Sequence, residues 1–282
     1  MLTAMNVTMN TSSQAVTVDE IDDCAIRQEN VLGSGAPVFH DINQGAPEWF
    51  ALRAQYFTAS EAPAMLGVSK YMKRAELIAQ KTRGTVREIS SAKQALFDRG
   101  HQAEADARPI AEAALRTRLP PVVVSRVVDG IPLLASLDGY SREKKIVWEN
   151  KLANPRLVAN VKAGQLDAHY WPQLEQQLLV TGAHCAYFTA SNGTAEGTVG
   201  MWYISVPERR KTLVDGWHAF KRALAEIPTL DDLWPSNPSK HVNDKAAIFR
   251  PVEMVTALPE RSLEISERPF VDDAVRHMFS MR

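Results

Sequence analysis

Two neighbouring apolar stretches decide how the chain is interpreted: Leu133-Leu-Ala-Ser-Leu-Asp-Gly-Tyr140 and Ile146-Val-Trp-Glu-Asn-Lys-Leu152. A short charged segment separates them, which predicts a β-hairpin with that segment as its turn. Residues two apart in a strand point to the same face, so we expect Glu149 and Lys151 to face the same way. Asp138, at the end of the first stretch, can face them across the strand pair.

The charges on this hairpin indicate a bound cation. Two carboxylates and one ammonium group on a mostly apolar face are costly to bury unless another charge compensates them. A divalent metal ion would do so, and Asp138 and Glu149 offer the hard oxygen ligands that Mg²⁺ prefers. A second Glu-x-Lys sequence, Glu143-Lys-Lys145, lies in the polar turn and is interpreted as solvated surface. For Glu149 and Lys151 taken alone, a structural ion pair explains the pattern as well as catalysis does.

The composition is that of a globular protein with a substantial core. Of its 282 residues, 45% are hydrophobic and 23% are charged. No apolar run approaches the roughly 20 residues that span a bilayer, and no secretory signal is evident. Two cysteines, Cys24 and Cys185, are too few for a zinc cluster and fit a reducing compartment. We therefore expect a cytoplasmic protein.

The net charge of −1 conceals an uneven distribution. Residues 1–48 hold seven acids and one base, and 229–282 hold nine acids and seven bases. The central part, 49–228, holds 24 bases and 17 acids. A basic centre between acidic flanks favours a polyanionic substrate, and an unevenly charged solvated surface is the equal alternative.

The order of predicted elements indicates an α/β domain with two flanking segments. Residues 1–46 are predicted to form an N-terminal arm, 47–228 the folded domain with a mixed central sheet flanked by helices, and 229–282 a C-terminal extension with a short helix at 271–279. Besides the hairpin, the patterns predict helices near 60 and at 73–83, 90–118, 167–181 and 207–225, and strands at 122–128, 183–190 and 198–206.

Several motifs along the domain resemble those of one nuclease superfamily. Ser136-Leu-Asp138-Gly139 followed by Glu149-Asn-Lys151 resembles the Asp…Glu-x-Lys core of the PD-(D/E)XK (restriction-endonuclease-like) nucleases, and more specifically of the lambda-type, YqaJ-like phage recombination exonucleases. Leu137 stands where the motif name has Pro, a departure that the family tolerates. Further matches follow in the family's order: Trp49-x-x-x-Arg53 with Thr58-Ala-Ser60, Gly100-x-x-x-Glu104-x-x-Ala107-Arg108, and Tyr170-x-x-Gln173-x-x-Gln176 before Val180-Thr181-Gly182. The resemblance spans about 47–228 and leaves the flanking segments uncovered.

The resemblance implies a metal-dependent catalytic site. Asp138 and Glu149 would bind Mg²⁺ together with the backbone carbonyl of Asn150, and Glu104 would complete a position for a second ion. Mn²⁺ is an expected substitute for Mg²⁺. Lys151 would orient the attacking water and offset charge that develops on the phosphate. Without the resemblance, a helix-surface salt bridge with the arginine four residues later would be the preferred interpretation of Glu104.

The resemblance also implies recognition of DNA ends. Arg53 and Ser60 occupy positions that the family uses for the terminal 5′-phosphate. Arginine makes bidentate contacts to phosphate, and Ser60 lies at a predicted helix start, where free N–H groups favour an anion. A surface arginine and an ordinary helix cap are the alternatives. Ser136, Tyr170 and Gln173 are expected to line the site, with a polar helix face as the alternative for the last two.

The expected function is therefore a Mg²⁺-dependent 5′-to-3′ exonuclease that resects linear double-stranded DNA from a 5′-phosphorylated end. It would leave 3′ single strands for recombination by strand annealing. The resemblance implies a homotrimer around DNA, a single-strand annealing protein as partner, and a phage or prophage origin in a bacterial host. A PD-(D/E)XK endonuclease without end recognition, structure-specific or restriction-like, is one alternative. A DNA-binding structural module is another, and the intact Asp138, Glu149 and Lys151 argue against it.

Overall fold

A computed structural model of the chain describes residues 35–83 and 91–227. The helix predicted at 271–279, with the rest of the C-terminal extension and most of the N-terminal arm, lies outside these residues, and the predicted domain boundaries stay predictions. The described strands are β1 (Val38–His40), β2 (Phe57–Thr58), β3 (Val122–Val128), β4 (Ile131–Leu137), β5 (Gly139–Ser141), β6 (Ile146–Leu152), β7 (Cys185–Ser191) and β8 (Val199–Ile204). The α-helices are α1 (Pro47–Ala54), α2 (Ala62–Met65), α3 (Arg74–Arg83), α4 (Ser91–Leu115), α5 (Pro155–Lys162), α6 (Trp171–Thr181) and α7 (Pro207–Ala225), and a 3-10 turn, Ala59–Glu61, precedes α2.

The strands form a mixed α/β architecture, as predicted, but they divide between two sheets. The first four-stranded sheet has the order β1-β3-β4-β2, and the second has the order β5-β6-β7-β8. Each sheet contains one parallel pair, β2 with β4 and β6 with β7, while its other neighbours are antiparallel. Strand β1 lies within the segment predicted as the N-terminal arm and pairs with β3.

The chain crosses from the first sheet to the second at Asp138. Strand β4 ends one residue earlier and pairs with β3, while β5 begins one residue later and pairs with β6. The predicted hairpin is therefore wrong for residues 133–137 and right only for the short β5 segment. A Cβ added at Gly139 would lie 2.9 Å from atoms of Leu119 and Trp148, so glycine permits this close crossing where a larger residue would displace its neighbours.

Helix α6 is deeply buried and bears several polar side chains. Its residues from Leu174 through Thr181 are all buried, because the helix packs against β3, β4 and α7. Gly182 ends it with φ of 73°, a left-handed conformation suited to glycine. Buried amide and carboxyl groups on such a helix must find partners inside the protein.

Helix α4 covers the other side of the crossing. Ala107, Leu119 and Trp148 belong to a second apolar cluster, which packs α4 against β6. This packing brings the helix surface that bears Glu104 and Arg108 to the point where the chain changes sheets. No helix among the described residues is long and apolar enough to cross a membrane.

Candidate active site

Asp138 and Asn150 are joined at the crossing between the sheets. The Asn150 N–H donates to Asp138 Oδ2 at 2.8 Å. Because the N–H and C=O of one strand residue point to the same edge, the Asn150 carbonyl also faces the edge occupied by Asp138. The Asn150 side chain is fixed separately, since its Oδ1 accepts a hydrogen bond from Thr189 Oγ1 at 2.8 Å. Two of the predicted metal ligands therefore lie together.

Glu149 and Lys151 lie on one face of β6, as the alternation predicts. Glu149 is buried, with 1% of its surface exposed, and the Lys151 ammonium donates directly to Glu149 Oε1. Burial by itself would lower the pKa of Lys151, but the carboxylates of Glu149 and Asp138 outweigh burial and raise that pKa above its ordinary value. Lys151 is therefore a charged ammonium, 29% exposed, beside the two carboxylates.

The carboxylates are not fully compensated by the protein. Burial raises the pKa of Asp138 well above its ordinary value, and the charges of Glu149 and Glu104 raise it further. Lys151 and the Asn150 N–H oppose this rise only in part. The site thus holds more negative charge than its neighbours neutralise, which is the condition that a bound cation relieves.

Glu104 forms the salt bridge that was the alternative to a metal-binding role, and its charge also interacts with the carboxylates at the crossing. Arg108 Nη2 donates to Glu104 Oε1 at 2.9 Å, the salt bridge expected one helical turn apart. Burial raises the pKa of Glu104, Arg108 lowers it, and Glu149 raises it again, so the charges of Glu104 and Glu149 interact across the site. Glu104 is therefore close enough to Asp138 and Glu149 for their charges to interact while it is paired with Arg108.

Arg108 makes more contacts at the crossing than the salt bridge with Glu104 that the spacing predicted. Its Nη1 donates to the backbone carbonyl of Leu119 at 2.7 Å and to the backbone carbonyl of Asp138. Its guanidinium also lies 5.3 Å from the centre of the Trp148 ring. One arginine thus ties α4 to the chain crossing and fixes the backbone that carries Asp138. Two sequence signals pointed to Arg108: its spacing from Glu104 and its place in the Gly100-to-Arg108 motif.

Helix α6 supplies amide donors to Glu149. Gln173 Nε2 donates to Glu149 Oε1 at 2.7 Å, so Gln173 contacts a predicted metal ligand. Gln177 Nε2 donates to the other oxygen, Oε2, at 2.6 Å. Gln177 has no role in the sequence-based site, although its position one helical turn after Gln173 is a signal for the same face. Burial raises the pKa of Tyr170 to about 12, and the nearby Lys151 charge opposes this rise.

The described residues fit a magnesium ion that shares its coordination with substrate. They contain no group of three or more His, Cys, Asp and Glu side chains that could hold a metal ion. However, Mg²⁺ in proteins is usually held by one or two carboxylates together with water and substrate phosphates. The Asp138 and Glu149 carboxylates match that oxygen set and carry the uncompensated charge. The Asn150 carbonyl on the same edge offers a third oxygen.

Arg53 and Ser60 lie together at the start of the 3-10 turn. Arg53 Nη2 donates to Ser60 Oγ at 3.4 Å, and the Ser60 and Thr58 hydroxyl oxygens are 3.2 Å apart. Burial lowers the pKa of Arg53, and the charge of Glu61 opposes this in part. Among residues 35–83 and 91–227, no carboxylate forms an ion pair with Arg53. A partly desolvated guanidinium beside an exposed hydroxyl is suited to bind an anion.

Trp49 connects the candidate anion pocket, Arg53 with Ser60, to the crossing between the sheets. The Arg53 guanidinium lies 4.4 Å from the centre of a Trp49 ring, and Trp49 Nε1 donates to Ser136 Oγ at 2.8 Å. Ser136 lies two residues before Asp138 on β4. The turn copy of the motif is elsewhere, because Glu143 and Lys145 are exposed between β5 and β6, as predicted.

Known proteins match both the sequence and the fold. Residues 48–184 match the family model of the YqaJ-like viral recombinase domain. The crystal structure of an alkaline exonuclease from Laribacter hongkongensis (LHK-Exo) is 22% identical, covers 64% of this chain and 93% of its own, and has a TM-score of 0.52. Its complex with dAMP covers the same shares at 24% identity and a TM-score of 0.50. At these identities the structural likeness establishes a shared fold. No curated protein matches the chain.

Proposed function

We propose that the chain, whose residues 48–184 match the family model of the YqaJ-like viral recombinase domain, is a metal-dependent 5′-to-3′ exonuclease acting on double-stranded DNA. One observation carries the proposal. Asp138 and buried Glu149 form a carboxylate pair in which the pKa of Asp138 is raised, and the charged Lys151 donates to Glu149. A carboxylate pair beside a charged amine is suited to metal-assisted hydrolysis of a phosphodiester.

The contacts of each side chain support a catalytic role for it. Asp138, Glu149 and the Asn150 carbonyl would hold Mg²⁺ or Mn²⁺, and Glu104 would complete a position for a second ion. When bound, the metal supplies positive charge to the scissile phosphate and lowers the pKa of a water molecule. The Lys151 ammonium lies beside the same carboxylate, where it would orient that water and stabilise negative charge on the phosphate.

The anion pocket supports action from a DNA end. Within the described residues no carboxylate pairs with Arg53, and Ser60 is exposed, so together they would bind a terminal 5′-phosphate. Trp49 contacts both Arg53 and Ser136 and would hold the pocket at a fixed distance from Asp138. An enzyme that anchors the 5′-phosphate and cleaves a phosphodiester bond held beside Asp138 removes nucleotides in the 5′-to-3′ direction. The complementary strand is left as a 3′ single strand.

The biological setting belongs to the same proposal. We infer that the 3′ strand passes to a single-strand annealing protein for recombination, in the cytoplasm of a bacterial host. The family resemblance supports a homotrimer around DNA, which for a chain of 31.3 kDa has a mass of about 94 kDa in solution.

A comparison of two linear duplexes tests end recognition. Duplexes that differ only in a 5′-phosphate or a 5′-hydroxyl are digested in Mg²⁺ by the wild type and by Arg53→Ala. The wild type is expected to prefer the phosphorylated end, and Arg53→Ala to lose the preference while it retains slow hydrolysis. Equal wild-type rates on both duplexes would reject the pocket and favour the alternative, an endonuclease without end recognition.

A further inference from the structure

The two oxygens of the Glu149 carboxylate have different partners. Oε1 accepts from Lys151 and from Gln173, whereas Oε2 accepts from Gln177 at 2.6 Å. We propose that Gln177 is a positioning residue: it holds Oε2 on the protein side and so presents Oε1 to the metal. This inference rests on the proposed metal-dependent hydrolysis and adds a residue that the sequence motifs did not identify.

Gln177 keeps this contact at the expense of stability. The side chain is fully buried, with 0% of its surface exposed, and within the described residues its Oε1 has no hydrogen-bond partner. A buried carbonyl oxygen without a partner is destabilising, and an apolar side chain of similar size would avoid that cost. The amide cannot turn its oxygen toward Glu149, because two acceptors would then face each other. The contact with Glu149 is therefore the evident reason for a polar group here.

The adjacent residue, Gln176, is a structural glutamine in the same helix, with hydrogen-bond partners at both ends of its amide. It is equally buried, at 0% exposure. Its Nε2 donates to the backbone carbonyls of Phe57 at 2.8 Å and Leu134 at 3.2 Å, and its Oε1 accepts from Trp217 Nε1 at 2.7 Å. Both ends of this amide are paired, and they tie α6 to β2, β4 and α7.

The two oxygens of the Glu149 carboxylate would respond differently to a bound metal, because their hydrogen-bond partners differ. A metal ion at Oε1 must share that oxygen with Lys151 and Gln173, so those contacts change when the metal binds. The contact from Gln177 to Oε2 lies on the other oxygen and can persist. Partners of this kind fix the rotation of a ligand before the metal arrives, and their loss typically weakens metal affinity by about 10- to 100-fold.

The experiment compares Gln177→Met with Gln176→Met in the full-length protein. Calorimetric titration with Mg²⁺ in the absence of DNA measures metal affinity, and thermal unfolding in EDTA measures stability. Gln177→Met is expected to weaken Mg²⁺ binding by about 10- to 100-fold with little change in Tm. Gln176→Met is expected to lower Tm and to bind Mg²⁺ like the wild type. Gln177→Leu provides a second apolar replacement if the methionine variant does not fold.

The outcomes separate this inference from the function on which it rests. A wild type that neither binds Mg²⁺ nor hydrolyses DNA in its presence would overturn the proposed function. A wild type that does both, with Gln177→Met binding Mg²⁺ equally well, would overturn the role of Gln177 alone. Equal weakening of Mg²⁺ binding in the two variants would overturn it too, because the effect would then come from disturbing the helix. Recovery of Gln177→Met hydrolysis at high Mg²⁺ would support it.

Discussion

Replacing Asp138 by Asn is expected to stabilise the metal-free protein and to abolish its hydrolysis. Burial, Glu149 and Glu104 all raise the pKa of Asp138. A carboxyl group whose pKa is raised by folding favours the folded state below its ordinary pKa of roughly 4, and that stability is lost as the pH rises through the raised value. Asn carries no charge at any pH, and its oxygen can keep the 2.8 Å hydrogen bond from the Asn150 N–H.

The magnitude follows from removing one uncompensated charge. Single stabilising substitutions, including those that improve the balance of charges, commonly add about 0.5–2 kcal/mol to the free energy of unfolding. For a domain of this size, 1 kcal/mol corresponds to a rise in Tm of about 2–4 °C. Mg²⁺ reverses the order, because a ligand at 100 times its Kd stabilises the wild type by about 2.7 kcal/mol and has no intact site in Asp138→Asn.

Thermal unfolding from about pH 5 to about pH 9 measures this difference. In EDTA, the Tm of Asp138→Asn minus that of the wild type should grow with pH, and saturating Mg²⁺ should reverse its sign at alkaline pH. Asp106→Asn, an exposed aspartate on α4, is the control and should show no such trend. A variant less stable than the wild type in alkaline EDTA, or a difference that does not depend on pH, would refute the argument that Asp138 is an uncompensated charge.

Three further substitutions test other contacts. Lys151→Ala should lower the cleavage rate by about 10²–10³-fold or more while duplex binding in Ca²⁺, measured by gel shift, is retained. Lys145→Ala, from the exposed turn, is the matched control. Normal turnover by Lys151→Ala would disprove the catalytic role of Lys151. Arg108→Lys keeps the charge but not the fork that reaches three oxygens, so kcat should fall about tenfold or more with KM nearly unchanged; an unchanged kcat would contradict its positioning role. Glu175→Gln should lower the free energy of unfolding by about 3–5 kcal/mol, because it leaves the half-buried Arg210 without its anion. In the wild type, Arg210 Nε lies 3.6 Å from Glu175 Oε2. Chemical denaturation measures this loss, and an unchanged midpoint would contradict it.

The sequence predicted the features that depend on local pattern. The alternation along 146–152 placed Glu149 and Lys151 on one strand face, and the β-branched run at 122–128 gave β3 its observed bounds. The exposed turn correctly separated Glu143 and Lys145 from the site. These features were predictable because strand periodicity and turn polarity are properties of a few consecutive residues.

The features that depend on contacts between distant residues were not predictable. The apolar stretch at 133–137 could pair with either neighbouring strand, and nothing in its pattern shows that it joins the first sheet while β5 joins the second. The role of Arg108 requires the Asp138 carbonyl to lie within its reach, and the role of Gln177 requires α6 to pack beside β6. Periodicity placed both residues on helices, on the faces that also bear Glu104 and Gln173, but it did not show which oxygens their side chains would reach.

Digestion of linear and covalently closed circular duplexes in Mg²⁺ tests the central claim most directly. The linear duplex carries a 5′-phosphate, and each strand is labelled so that released products and the remaining strand are both followed. The proposed function predicts release of 5′-mononucleotides from the linear duplex, an intact 3′ strand, and no cleavage of the circle. Nicking or linearisation of the circle, or equal hydrolysis by Lys151→Ala, would contradict an end-directed exonuclease built on Asp138, Glu149 and Lys151.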